Sequence, residues 1–258
     1  MNENADFGRY LAFINCQIKP NTSTLPAHAK PRWRAITISR QAGTGGRFIA
    51  ELVAQHLQSN SPAEAASWMV FDRNLIEKVL EDHHLPARLA KYMPEDRISG
   101  IQDTLDELFG LHPPTWTLVE KTSDTILRLA ELGNVIILGR GANIITSKLD
   151  YMFHVRLVGP KAARIEYVQA DRNVDKQTAT RIVEQEDEGR RRYIKRYFHR
   201  DIDDAELYHL VINTSAVGHV TAAAMIGQCV LRIPEVAHPA HAAAARHLIP
   251  VAGEGEPE

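Results

Sequence analysis

The residues of this chain whose types and spacing could do chemistry are glycines, arginines and one aspartate, not a nucleophile with its base. The densest group is Ser39-Arg40-Gln41-Ala42-Gly43-Thr44-Gly45-Gly46-Arg47. A bound phosphate needs backbone N–H groups that converge with no Cβ in the way. Glycines at the start of a helix supply that geometry, and the helix dipole adds a partial positive charge. The competing reading is a glycine-rich chain reversal. Position favours the phosphate, because the loop follows a β-branched run and opens an apolar pattern of helical period. The expected nucleotide-binding residues are Gly43, Thr44, Gly45, Gly46 and Arg47.

The loop is not a regular GxxxxGK[ST] motif. With Gly45 as the second glycine, Gly46 stands in the lysine position and Arg47 in the hydroxyl position. A shift of one residue puts Arg47 in the lysine position and Phe48 in the hydroxyl position. In both registers the motif is incomplete. Arg47 and Arg40 are the nearest cations that could turn toward a β- or γ-phosphate. The alternative for Arg47 is an ion pair on the outside of the helix.

Three further groups stand near the ends of apolar runs. Arg140, in Gly139-Arg140-Gly141, could clamp a phosphate with its planar fork of donors or serve as a structural ion pair. Asp72, after Trp68-Met69-Val70-Phe71, could hold magnesium through water, hold a substrate edge, or cap a helix. Arg190, Arg191, Arg192, Lys195 and Arg196 put five cations within seven residues. Acidic neighbours such as Glu184 and Asp187 suit a solvated helix face, but the density of the cations suggests that they are not all neutralised locally. Asn213-Thr214-Ser215 ends the last apolar run and either shapes a base pocket or terminates the strand.

Other chemistries find little support. His83-His84 are adjacent and point apart on a helix, and His238, His241 and His247 lack the companions of a zinc site. No GxSxG or HExxH is present. A formal charge of -2 gives no global pull toward nucleic acid or an acidic membrane surface, so neither partner is expected. Cys16 and Cys229 are far apart, which suits a reducing compartment. The first residues lack a basic, then apolar, signal pattern, and no apolar run reaches the roughly 20 residues of a membrane span. The expected location is the cytoplasm.

The elements that must position these residues alternate. Strands are expected at 35–38, 68–71, 134–138, 151–157 and 208–212. Helices are expected at 46–57, from 75 with breaks to about 133, and at 161–170, 178–198 and 221–231. Strands separated by helices imply a parallel sheet with right-handed crossovers, and ligands in such folds gather at the carboxyl ends of the strands. Residues 1–33 read as a loosely held arm, and 234–258, rich in Pro, Ala, His and Glu, as a disordered tail.

Taken together, these segments resemble the cytidylate kinase-like family, a lysine-free branch of the nucleoside monophosphate kinases. The resemblance rests on residues 36–47, on Phe71-Asp72-Arg73-Asn74-Leu75-Ile76 and Ile137-Leu138-Gly139-Arg140-Gly141-Ala142, and on residues 186–198 and 208–215, and it covers about residues 34–231. It implies a three-layer α/β/α P-loop kinase fold with a five-stranded parallel sheet. Within a domain at 34–233 it implies a nucleoside-monophosphate-binding insertion at about 72–133 and a mobile lid at about 181–200. It implies ATP as donor, Mg2+ as cofactor, and a nucleoside monophosphate such as CMP or dCMP as acceptor. Asp72 and Arg140 would bind the acceptor, while Arg190, Arg196 and Arg47 would act on the transferring phosphoryl group. The family's Gly-Arg-Asp motif reads Gly139-Arg140-Gly141 here, so its aspartate is missing. No protein ligand for magnesium is evident. The second reading is a nucleotide-binding regulatory protein with a degenerate kinase site and little turnover, and the third is a kinase for another small metabolite.

Overall fold

The computed structural model describes residues 35–61, 67–76 and 117–232. The arm at 1–33, the tail at 234–258, most of the expected insertion, His83-His84 and the tail histidines lie outside the described residues.

Five strands form one sheet: β1 (Ala35–Arg40), β2 (Met69–Phe71), β3 (Val135–Leu138), β4 (Met152–Val158) and β5 (Leu210–Asn213), in the order β2-β3-β1-β4-β5. All four pairings are parallel, with Ile38 opposite Leu138 on one side and Val155 on the other. The helices are α1 (Gly46–Ser59), α2 (Thr117–Leu132), α3 (Ala142–Ile145), α4 (Lys161–Arg172), α5 (Lys176–Phe198), α6 (Thr214–Val217) and α7 (His219–Arg232). The short α3 and α6 fall below what apolar periodicity can signal. Among the described residues no helix is long and apolar enough to cross a membrane.

Alternation along the strands divides the core between two faces. Ile36, Ile38, Ile136, Leu138, Phe153 and Val155 pack against Ile49, Val53 and Leu57 of α1 and Ala222 and Ile226 of α7. On the other face Ala35, Val135, Ile137 and Met152 meet α2, α3 and, from the end of α5, Ile194 and Phe198. Further along this second face β1 and β4 turn polar at Thr37, Ser39, His154 and Arg156, all buried. Thr37 Oγ1 and His154 Nδ1 are hydrogen-bonded at 2.8 Å, and Arg156 Nη1 donates to Ser39 Oγ at 2.8 Å. Burial, with His209 stacked alongside, pulls the His154 imidazole down to about 3.

Element ends differ from the sequence reading where side chains intervene. The strand expected from Tyr208 starts at Leu210, because Tyr208 closes a 3-10 turn by donating its N–H to Ala205 O and its hydroxyl to Ile202 O. The helix expected from Thr178 starts at Lys176, since Asp175 caps it by accepting the Thr178 N–H.

Candidate functional site

The carboxyl ends of β1, β2 and β3, the start of α1 and one face of α5 surround a cavity of about 670 Å³. Arg40, Arg47, Arg73, Arg140, Arg172 and Arg190 all line it, against the carboxylates of Asp72 and Glu186. An excess of cations along one cleft favours an anionic occupant.

The glycine loop enters α1 through Gly45, which holds a left-handed φ of 70° and caps the helix without a side chain. The first amides of α1 therefore have no side-chain cap. Gly43 is also left-handed, and a Cβ there would stand 2.3 Å from the Arg164 carbonyl oxygen of α4. Its lack of a side chain is thus a packing requirement as well as an opening of the loop. A Cβ at Gly45 would meet His219 Nε2 at 2.7 Å, so the first residue of α7 closes over the loop.

Asp187 fastens α5 to the same loop. Its Oδ1 accepts the Ala42 N–H at 2.7 Å, and its Oδ2 accepts Arg164 Nη1 at 2.6 Å. Arg164 is buried and donates also to the carbonyls of Ala42 and Gly159. Beneath this tie, Ala42, Ile165, Val168, Ala179 and Val183 form a third apolar cluster that joins the loop, α4 and α5.

Along α5, Glu186, Gly189, Arg190 and Tyr193 share the cavity face at helical spacing. Arg190 donates to Glu186 at 2.7 Å and reaches Asp187 at 3.5 Å. Burial pushes the Glu186 carboxyl up, but hydrogen bonds and charge from Arg172 and Arg190 outweigh it and hold the group below the usual carboxylate range. Burial pushes the Tyr193 hydroxyl up to about 12. The remaining cations sit elsewhere. Arg191 pairs with Glu188 and Asp203, and Arg192 lies 3.6 Å from Glu188. Arg196 is exposed, outside the cavity, over the Tyr197 ring. Among the described residues no carboxylate pairs with Lys195 or Arg196, so two of the five cations are not neutralised locally. The preceding turn of α5 and residue 203 supply carboxylates to the three consecutive arginines.

Arg140 reaches the cavity from a strained turn. Gly139, Arg140 and Gly141 have φ values of 84°, 57° and 71°, and the left-handed arginine alone costs roughly 1–2 kcal/mol. Gly141 caps α3, and a Cβ there would lie 2.6 Å from Phe198 Cε2. The aspartate of the Gly-Arg-Asp pattern has no room while Phe198 packs against this turn. At the other edge Asp72 does two things at once. Its Oδ1 accepts the Leu75 N–H at 3.0 Å, as a helix cap does, and its Oδ2 accepts Arg47 Nη1 at 2.8 Å. Arg47 also pairs with Glu51 at 3.0 Å. Asn213 caps α6 by accepting the N–H groups of Ser215 and Ala216.

The structure thus gathers Arg47, Asp72, Arg140 and Arg190 around one cavity, whereas Gly43, Thr44, Gly45, Gly46 and Arg196 are not among the residues that line it. Arg40, the other cation expected near the loop, lines it as well, and the structure adds Arg73, Arg172, Glu186 and Tyr193. Of these, Glu186 and Tyr193 carried a sequence signal, the helical spacing that places them with Arg190. Arg172 joins by a crossing between α4 and α5 that no local pattern encodes.

The sequence pattern of the cytidylate kinase-like family matches residues 35–216. Among solved structures, the chain is similar to an uncharacterized protein from Eubacterium ventriosum ATCC 27560, at 22% identity over 76% of this chain and 97% of the other, with a TM-score of 0.57. A shikimate kinase from Bacteroides thetaiotaomicron aligns at 14% identity over 76% of this chain and 97% of the other, with a TM-score of 0.40. None of the curated proteins matches the chain.

Proposed function

The chain belongs to the cytidylate kinase-like family, and from that premise we propose that it transfers the γ-phosphoryl group of ATP to a nucleoside monophosphate held in the cavity. The observation that carries this reading is the position of Arg140. Its strained turn, at the end of β3, lines the same cavity as the glycine loop's approach, at the end of β1. Two anions bound at neighbouring strand ends suit an in-line displacement, which needs positioning and positive charge more than a covalent nucleophile.

In this reading the amides of residues 43–47 hold the donor phosphates and Arg140 holds the acceptor phosphate. Arg190 meets the developing charge after exchanging Glu186 for phosphate oxygens. Arg47, engaged with Glu51 and Asp72, orients Asp72 toward the acceptor. Arg196 has no part. The acceptor base stays open between CMP, dCMP and other monophosphates, since Phe198 occupies the place of the family aspartate. Magnesium fits as an ion carried by the nucleotide's phosphates. No cluster of three potential metal ligands exists among the described residues, and Asp72 and Glu186 are both bound to arginines. No step is assigned to a protein-bound metal.

The second reading, a nucleotide-binding protein with little turnover, is favoured by one observation. Asp187 already fills the Ala42 N–H that a donor phosphate could use. A panel of nucleoside monophosphates with ATP and magnesium, reading ADP release, separates the two. Acceptor-dependent release is expected. ADP release that no acceptor stimulates would refute the transferase reading.

A further inference from the structure

The glycine loop lacks its lysine, yet the cavity contains a cation whose path the fold protects. Arg40, the last residue of β1, runs across the start of α1 and on to the turn after β3. A Cβ at Gly46 would lie 3.0 Å from Arg40 Cγ, and a Cβ at Gly139 would lie 2.1 Å from Arg40 Nη1. Two glycines from different elements therefore leave room for this one side chain. Its guanidinium ends between the glycine loop and the Arg140 turn. That is the gap a phosphoryl group would cross.

Among the described residues Arg40 makes no ion pair, whereas Arg47, the other cation near the lysine position, pairs with both Glu51 and Asp72. Of the charged groups around Arg40, Arg190 acts on it most strongly, followed by the carboxylates of Glu186 and Asp72 and then by Arg140. Burial first, then Arg190, lowers the guanidinium to about 10, which leaves it protonated at neutral pH. A buried cation is unfavourable unless an anion joins it, and the two carboxylates near Arg40 are each already bound to another arginine.

We propose that Arg40 is a catalytic residue of this site, contacting the phosphoryl group in transit from the end of β1 as the lysine of a complete glycine loop does from the start of its helix. The proposal rests on the phosphotransferase reading. An oxygen of the acceptor phosphate forms the new bond to the γ-phosphorus as the bond to the β-bridging oxygen breaks. ADP leaves with that electron pair, and a dianionic acceptor phosphate has no proton to lose. Arg40 offsets charge on the equatorial oxygens throughout.

The test exploits the shared space. Arg40→Ala should lower kcat by about 10²-fold or more, the order for one transition-state charge contact. Gly46→Lys alone should also lower it, because its Cβ presses on Arg40. In Arg40→Ala/Gly46→Lys the new lysine has the vacated channel, and kcat should recover at least ~10-fold over Arg40→Ala, as expected if one cation replaces another at the same oxygens. A merely structural arginine would not be rescued by a lysine on another element. Arg40→Met, similar in length, takes the place of Arg40→Ala if the latter does not fold. Calorimetry without acceptor gives a readout independent of turnover. Arg40→Ala should weaken ATP by roughly 10- to 100-fold, the range for a charged hydrogen bond, and leave ADP unchanged. Equal ATP-to-ADP affinity ratios in wild type and Arg40→Ala, or a double variant no faster than Arg40→Ala, would overturn the proposal. If wild type transfers phosphate to no acceptor, the transferase reading fails and the affinity ratio still decides whether Arg40 touches the γ-phosphate.

Discussion

Restoring the family's aspartate by Gly141→Asp should destabilise this protein instead of improving it. Gly141 holds φ 71°, and an L-residue there costs about 1 kcal/mol or slightly more, aspartate being among the better tolerated. Its Cβ would stand 2.6 Å from Phe198 Cε2, 3.0 Å from Phe198 Cζ and 3.3 Å from Ile194 Cδ1. Both side chains are buried in the core beneath α5, and overpacking of that kind costs about 1–3 kcal/mol. Together the loss is about 2–4 kcal/mol, or a fall in Tm of roughly 4–16 °C for a domain of this size. Urea unfolding followed by circular dichroism measures it. Repeating the substitution in Phe198→Leu should remove most of the packing share, giving a coupling of about 1–3 kcal/mol between the two positions. A loss below about 0.5 kcal/mol, no more than an ordinary surface change, would refute the reasoning and reopen this turn to an aspartate.

Three other outcomes follow from the same contacts. Asp187→Ala leaves the buried Arg164 and the Ala42 N–H without their partner, so urea unfolding should show a loss of about 3 kcal/mol or more. A loss under about 1 kcal/mol, the worth of an exposed pair, would mean that α5 is not fastened to the glycine loop. The His154 imidazole titrates near 3 in the folded protein against 6.5 when unfolded, so its contribution is complete above 6.5 and is lost as pH falls toward 3. Between those limits wild type should lose up to about 1.4 kcal/mol per pH unit relative to His154→Gln, and parallel pH profiles would contradict this. Hydrogen exchange across residues 181–200 should slow when an ATP analogue and a monophosphate bind together, as expected of a closing lid. Unchanged exchange would make α5 a static wall of the cavity.

The parts of the fold legible in the sequence were those written in local pattern. The β-branched run at 35–38, the apolar run at 134–138 and the glycine loop between strand and helix each specify their own element. Parallel pairing follows once strands separated by helices are recognised, but the order β2-β3-β1-β4-β5 is not written in any local pattern. The site was legible only in part, because several of its features depend on where a side chain travels after it leaves its element. Arg40 was visible at the mouth of the loop, but not its passage between Gly46 and Gly139. Gly141 read as a missing acid when it is a position shaped by Phe198, 57 residues along the chain by number. On α5 the carboxylates of the preceding turn were legible as helical neighbours of the arginines, but Asp203, which meets Arg191 from beyond the helix, was not. Asp72 offered a cap or a ligand and does the first while holding Arg47.

The central claim is that donor and acceptor phosphates lie in one continuous cavity between the glycine loop and Arg140. Calorimetric titration with adenosine joined to a second nucleoside through a chain of five phosphates tests it directly, because the two halves must reach both positions at once. Across a panel of second nucleosides, at least one such compound should bind about 10²-fold or more tightly than ATP, through effective concentration alone, and Arg140→Ala should remove most of that gain. Affinities no better than ATP for every member of the panel would contradict a shared transfer site.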